Sequence, residues 1–165
     1  MSDTPDVLDA IDRQLIHLLQ HSGRATQLEL ARAVGLSQPA VTERMRKLEE
    51  RGVITGYRAR IDAAKLGLDI TAFIGVGIEH PKFFTAFIKK VQGLAEVLEC
   101  HRVAGADSFL LKVKTRNTGS LDRLLVEVLR TIPGVTRTQT TIVLRPIKEE
   151  THVAPPDADD TQEEA

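Results

Sequence analysis

The chain has almost no cysteine. Cys100 stands alone among 165 residues, so no intrachain disulfide can form. Its place in an apolar-alternating segment predicts a reduced thiol buried in a core, not a nucleophile. There is no apolar run long enough to span a membrane. No signal peptide is legible either, so the expected location is the cytoplasm. A large charge of one sign is missing too: 22 Lys and Arg meet 23 Asp and Glu, a net charge of -1. There is no Ser/His/Asp pattern and no phosphate-cradling Gly loop. His17 and His21 stand at i and i+4 without a third ligand close by in sequence, which argues against a metal site. The chain is therefore expected to be a non-enzyme without cofactor or metal.

What is present is a hydrophobic content of 42%, enough for one ordinary domain or two small ones. The near-zero net charge hides a segregation. Arg44 to Arg60 carries six basic residues against two acidic ones, whereas residues 149–165 carry seven acids and no Lys or Arg. Local charge, not the net value, sets the field that a nucleic acid meets.

Arg24 to Gly52 predicts two short helices joined by a tight turn. Thr26 and Glu29 form a capping box. Ala31 is small enough for a second helix to approach. Gly35 permits the left-handed turn, from which Leu36 packs inward. Ser37 is an N-cap, and Pro39 fits the first turn of the next helix. That layout is a helix-turn-helix, whose second helix enters the DNA major groove. Val41, Met45 and Leu48 form its apolar stripe. Ser37 and Gln38 at its start, with Pro39, Thr42, Glu43, Arg46 and Lys47 opposite the stripe, are the candidate base-reading set. Arg44, Arg51, Arg58 and Arg60 are candidate phosphate contacts.

Before this motif, Asp6 is expected to cap a helix carrying Leu8, Ile11, Leu15, Leu18 and Leu19, with Asp9 and Arg13 paired at i,i+4. After it, Val53 to Ile61 is expected to be an extended strand, a small wing. Residues 1–62 thus read as a winged helix-turn-helix domain and 63–69 as a linker with Gly67 as its flexible point.

From Ile70 the apolar period changes from 3.6 to 2. Four strands (TAFIGVGIE, EVLECHRV, SFLLKVKT and VTRTQTTIVL) and two helices (PKFFTAFIKKV and Ser120 to Thr131) follow in the order βαββαβ. This is a ferredoxin-like arrangement over 70–148, so the fold class is α+β. Two helices cover one sheet face. The other, with Phe73, Gly75 and Gly77, is expected to seek a partner, and the glycines to let a second backbone approach. A homodimer through this half is therefore expected. Residues 149–165 read as a disordered acidic tail.

These residues resemble the Lrp/AsnC family, the feast/famine transcription regulators of bacteria and archaea. LDAIDRQLIHLLQHSGRAT and LELARAVGLSQPAVTERMRKLEERGVITGYRARID are similar to its N-terminal domain. LECHRVAGADSFLLKV and IPGVTRTQTTIVL are similar to two stretches of its effector-sensing domain. The resemblance implies a cytoplasmic, nucleoid-associated regulator that binds double-stranded DNA as a dimer and assembles further to a tetramer or octamer, and a small-molecule effector, commonly an amino acid. It also implies an effector site at Gly105, Ala106, Asp107 and Ser108 with Thr138 and Thr140; His101 is expected either to line that cleft or simply to sit on the sheet. A Gly turn can present N–H groups to a carboxylate, and Asp107 can accept from an ammonium. The family often has Gly-x-Tyr-Asp here; this chain has Gly-Ala-Asp-Ser, with the acid one place earlier. The same two-domain architecture is also similar to siroheme decarboxylase subunits. That alternative implies an enzyme with basic and His residues around a tetrapyrrole, drawn from His17, His21, His80, His101 and His152.

Overall fold

The computed structural model describes residues 8–153. The expected cap Asp6, residues 1–7 and most of the acidic tail (154–165) lie outside them. The chain divides into two compact units. One comprises the described residues up to Arg60 together with Glu149–Val153, and the other spans Ile61–Lys148.

The first unit is three helices: α1 Ala10–His21, α2 Gln27–Val34 and α3 Gln38–Glu50. Each starts at a side-chain cap. Asp9 accepts from the Asp12 N–H at 2.8 Å. Thr26 accepts from the Glu29 N–H at 3.2 Å, while Glu29 accepts from the Thr26 N–H at 2.7 Å. Ser37 accepts from the Ala40 N–H at 3.4 Å. These bonds satisfy donors that a helix start otherwise leaves open. Between α2 and α3, Gly35 adopts φ 69°, the left-handed conformation that ends α2 in one residue. Leu15, Leu30, Ala31, Val41 and Met45 form the core, with Leu36 packed on it from the turn. Fully burying a Leu or Val side chain contributes roughly 1.5–3 kcal/mol, so this small core holds α3 in one rotational setting.

Two expectations are corrected here. Asp9 does not pair with Arg13. It caps α1, and with Asp12 it receives the Arg44 guanidinium, both contacts at 2.7 Å. The strand at Val53–Ile61 does not form: these residues are in no ladder. Gly56 turns away at φ 145°, and 55–61 are exposed, so a lone segment finds no second strand to bond. Tyr57 instead donates to Glu49 Oε1 at 2.9 Å. Partial burial and this bond push its phenol up to about 12.

In the second unit the linker contains a short 3₁₀ turn, Ala63–Leu66. β1 Ile70–Ile78, α4 Phe84–Gln92, β2 Val97–Arg102, β3 Phe109–Thr115, α5 Thr118–Arg123 and β4 Val135–Ile142 follow. After α5, the chain widens to a π turn at Leu124–Val128 and closes as 3₁₀ at Leu129–Thr131. The sheet is antiparallel in the order β2-β3-β1-β4, the ferredoxin-like topology. Ala72, Ile74, Val76, Phe109, Leu111 and Val113 of the sheet are buried against Phe87, Val91, Leu121, Leu124 and Leu129 from the helical segments. Phe109 meets Phe87 and Phe84 at centroid distances of 4.8 and 5.1 Å. Cys100 is a further correction: it is exposed, because β2 is an edge strand that the helices only partly cover. Partial burial raises its thiol pKa, which lowers its reactivity.

The tail's described part is ordered by contacts within the first unit. Gln20 donates to Val153 O at 2.9 Å and accepts from its N–H at 2.7 Å, and Arg60 donates to Glu149 O at 2.8 Å.

The Arg44 clamp generates a prediction. The Asp12 N–H, and then Arg44, hold the Asp9 carboxyl below its ordinary value of 3.8. A depressed carboxylate stabilises the fold fully above about pH 4, and that stability is lost as pH falls through the folded value. Arg44→Ala is expected to lower unfolding free energy by about 1–2 kcal/mol at neutral pH and to shrink the loss on acidification below pH 4. Urea titrations of both proteins across pH 3–7 measure this.

Candidate DNA-reading helix and sensing loop

α3 buries Val41, Met45 and Leu48 and leaves Gln38, Pro39, Thr42, Glu43, Arg46 and Lys47 exposed. The helix period therefore separates core and candidate reading face as the spacing predicts. This face is internally compensated. Arg46 is held by Glu43 through Nη2 at 2.6 Å and Nε at 2.9 Å, and Glu50 also accepts from it. Lys47 lies 3.7 Å from Glu43. Glu43, then Glu50, raise the Arg46 pKa, and Arg46 lowers that of Glu43. These are exposed pairs, which contribute little and exchange readily. Thr42 donates to Gln38 O at 2.9 Å and to Gln27 Oε1 at 3.2 Å. Arg51 and Arg58 are exposed at and beyond the end of the helix. Arg44, expected near phosphates, is instead held between Asp9 and Asp12, and Arg60 is engaged by Glu149 and Glu150.

The structure separates the candidate effector residues. Thr138 and Thr140 pair with Val76 and Ile74, so they share the helix-covered face. Thr138 accepts there from Arg130 Nε at 3.2 Å. His101, Leu110, Gly75 and Gln139 are in register across the sheet and share the opposite face. His101 is exposed and bonds to Glu99 at 3.2 Å. Ser108 fastens the loop: its N–H donates to Val76 O at 2.9 Å, and its Oγ accepts from the Ile78 N–H at 3.2 Å. Gly105 and Ala106 are exposed, and Gly105 has φ 151°.

Asp107 folds back over the sheet and meets Arg137 at 2.8 Å. The same Arg137 Nη2 donates to Ala106 O at 2.6 Å. The pair lies on Gly75 and Gly77. A Cβ at 75 would lie 2.7 Å from Asp107 Cγ, and one at 77 would lie 2.8 Å from Arg137 Cγ. The room left by the glycines is thus filled by the chain's own ion pair, not kept open for a second backbone. Sequence reasoning missed Arg137. Strand alternation in VTRTQT sets it out of phase with the threonines, and that was the available signal.

Two open grooves occur on this unit. One is lined by Leu94, Lys114, Ser120 and Arg123, the other by Ile88, Leu98, Cys100 and Arg102; neither reaches the 105–108 loop. The histidines are dispersed. His17, His21 and His152 belong to the first unit, with ring centroids 4.2 and 4.7 Å apart, whereas His80 and His101 stand on the second. No group of three or more His, Cys, Asp or Glu that could hold a metal occurs among the described residues, and no helix among them is long and apolar enough to cross a membrane.

A capped helix-turn-helix with a polar helix face, joined to a ferredoxin-like unit with a loop fastened over its open face, defines a DNA-binding regulator with a sensing domain. The chain belongs to the Lrp/AsnC family of transcription regulators. The AsnC-type helix-turn-helix domain matches residues 8–49, and the Lrp/AsnC ligand binding domain matches 71–153. The leucine-responsive regulatory proteins of Rhizobium meliloti and Escherichia coli K12 are 39% and 37% identical to it. Each comparison covers 86% of this chain, and 92% and 88% of the relatives. Among solved structures, Escherichia coli AsnC superposes with a TM-score of 0.84 at 30% identity, covering 91% of this chain and 100% of that one. A feast or famine regulatory protein of Mycobacterium tuberculosis complexed with L-methionine gives 0.83 at 38% identity, covering 90% and 100%. A transcriptional regulator/L-Met complex from Neisseria meningitidis gives 0.85 at 29%, covering 91% and 97%. These relatives are regulators and lend no support to the siroheme decarboxylase alternative.

Proposed function

We propose that this chain is a non-enzymatic, cytoplasmic, nucleoid-associated regulator that docks α3 in the DNA major groove and answers to an amino acid at the 105–108 loop. The observation that carries the reading is the α3 face itself. A buried stripe of Val41, Met45 and Leu48 turns Gln38, Thr42, Arg46 and Lys47 to the exposed side of the helix, where a ligand can reach them. Arg46 has the fork that reads a guanine edge, and its exposed partners Glu43 and Glu50 yield it to that edge at small cost. Ser37 and Pro39 set the entry of the helix, and Arg51 and Arg58 reach for phosphates. Arg44 positions the helix through α1, and Arg60 becomes available as the tail contacts exchange.

Selection of bound genomic fragments supplies the operator on which this is tested. Arg46→Ala is expected to weaken operator binding about tenfold or more and to relax base preference at one position. Arg58→Ala is expected to weaken binding to all sequences alike and to reduce the salt slope by about one. Unchanged operator affinity and selectivity in Arg46→Ala, measured by fluorescence anisotropy, would reject this docking.

Assembly belongs to the second unit. Phe73 remains 36% exposed on the sheet face away from the helices, beside the partly exposed Thr71 and Leu110, and such a face is stable when a second copy covers it. Dimers of this kind would build the tetramer or octamer. Because the second unit has its own core, a fragment of residues 61–148 is expected to sediment as a dimer at micromolar concentration; a clean monomer would overturn the assignment.

The effector is an amino acid by two supports: relatives solved with L-methionine, and a carboxylate at Asp107 placed to accept from an ammonium. Asp107→Ala is expected to weaken binding of methionine more than binding of its analogue without the amino group, as measured by calorimetry. Equal affinities for wild type and variant would remove Asp107 from the site. Gly105→Leu, forced into a backbone region that side chains avoid, is expected to lose the ligand response while keeping DNA binding.

A further inference from the structure

The geometry points to Arg137 as the residue that selects the effector's carboxylate, and to the Asp107–Arg137 ion pair as an internal stand-in for the zwitterion that opens it. The assignment rests on the effector reading above and adds to it a residue and a mode of entry.

An α-amino acid carries a carboxylate and an ammonium a few bonds apart. The open face of the sheet already holds the complementary charges, Arg137 and Asp107, 2.8 Å apart and bonded to each other. Neither is locked away: the Asp107 side chain is 23% exposed and that of Arg137 49%. A zwitterion placed between them exchanges one internal ion pair for two, Arg137 to its carboxylate and its ammonium to Asp107. The guanidinium fork suits a carboxylate better than a point charge would.

The floor beneath the pair is built for this. Gly75 and Gly77 leave the space that the two side chains fill, since a Cβ at either position would collide with one of them. Withdrawal of Asp107 from Gly75 thus uncovers a shallow recess over bare backbone.

The loop can open locally. Ser108 is bonded to the sheet twice, through its N–H to Val76 O and its Oγ from the Ile78 N–H, and Val103 donates to Ser108 O at 3.2 Å. Between these anchors, Arg137 fastens Ala106 and Asp107 through side-chain bonds. Capture of Arg137 by a ligand carboxylate therefore frees residues 104–107 about Gly105 while the strands stay paired. Ligand arrival becomes a change of loop position at the edge of the sheet.

The exchange has a signature that a merely structural ion pair lacks. Asp107 competes with the ligand carboxylate for Arg137, so removing the Asp107 charge should help a ligand that offers a carboxylate alone. Calorimetry on the full-length protein with three probes reads this out: L-methionine, its analogue without the amino group, and its analogue without the carboxylate. Arg137→Gln is expected to weaken methionine and the acid analogue about tenfold or more and, by releasing Asp107, to tighten the amine analogue several-fold. Asp107→Asn is expected to weaken the amine analogue and methionine but to tighten the acid analogue several-fold. Where Arg137→Gln folds poorly, Arg137→Lys keeps the charge without the fork, and an intermediate loss for the acid analogue is expected. If wild type binds methionine and Arg137→Gln changes all three probes alike or none, Arg137 is not the carboxylate residue and the effector reading survives. A wild-type chain that takes up no amino acid overturns both.

Discussion

Burial of one narrow stripe of α3 is the constraint from which the rest of the first unit follows. Val41, Met45 and Leu48 must leave water together, and at 3.6 residues per turn that requirement turns Thr42, Glu43, Arg46 and Lys47 outward. The caps at Thr26 and Ser37 and the left-handed Gly35 set where α2 stops and α3 starts, so the rotation of α3 is not free to drift. Arg44 falls beside the stripe, neither in the core nor on the reading face. From there it reaches Asp9 and Asp12 and ties the helix to the start of α1. A basic residue within a basic cluster thereby positions the helix.

The second unit is governed by the corresponding rule for sheets, alternation with period two. Residues in register with Ile74 and Val76 belong to the core, and those in register with Gly75 and Gly77 belong to the open face. Thr138 and Thr140 obey the first rule; Asp107 and Arg137 meet on the second. Residues that lie close in sequence are thus divided between two environments. Gly75 omits a side chain where Asp107 lies, and Gly77 where Arg137 lies. The face carries the Asp107–Arg137 pair at its β4 edge, and its exposed aromatic, Phe73, stands in register with Lys112 and Thr141.

The electrostatics of the two units share a feature. Arg46 on α3 is satisfied by Glu43 and Glu50, and Arg137 by Asp107. Each pair is exposed enough that water screens it, so each stabilises the fold only modestly. Under the proposals made above, each also keeps a guanidinium oriented until an acceptor of better geometry arrives, a guanine edge in one case and a carboxylate in the other. Such pairing lowers affinity slightly while discouraging indiscriminate anion binding.

Much of this was determined by the sequence itself. The helix-turn-helix, its caps, the α3 stripe, the four strands and the two sensing-domain helices follow from local periodicity and from capping chemistry, which act within a few residues. The family followed from motif order. The tertiary structure alone decided four matters: that Val53–Ile61 has no strand partner, that Cys100 sits at an exposed edge, that Arg44 clamps α1, and that Asp107 lies on Arg137 while Thr138 and Thr140 turn to the helices. The reason is separation along the chain. Arg44 and Asp9 are 35 residues apart, and Arg137 and Asp107 are 30. No local period carries a contact of that length. It exists only once helix packing and strand register have brought the two side chains to the same place.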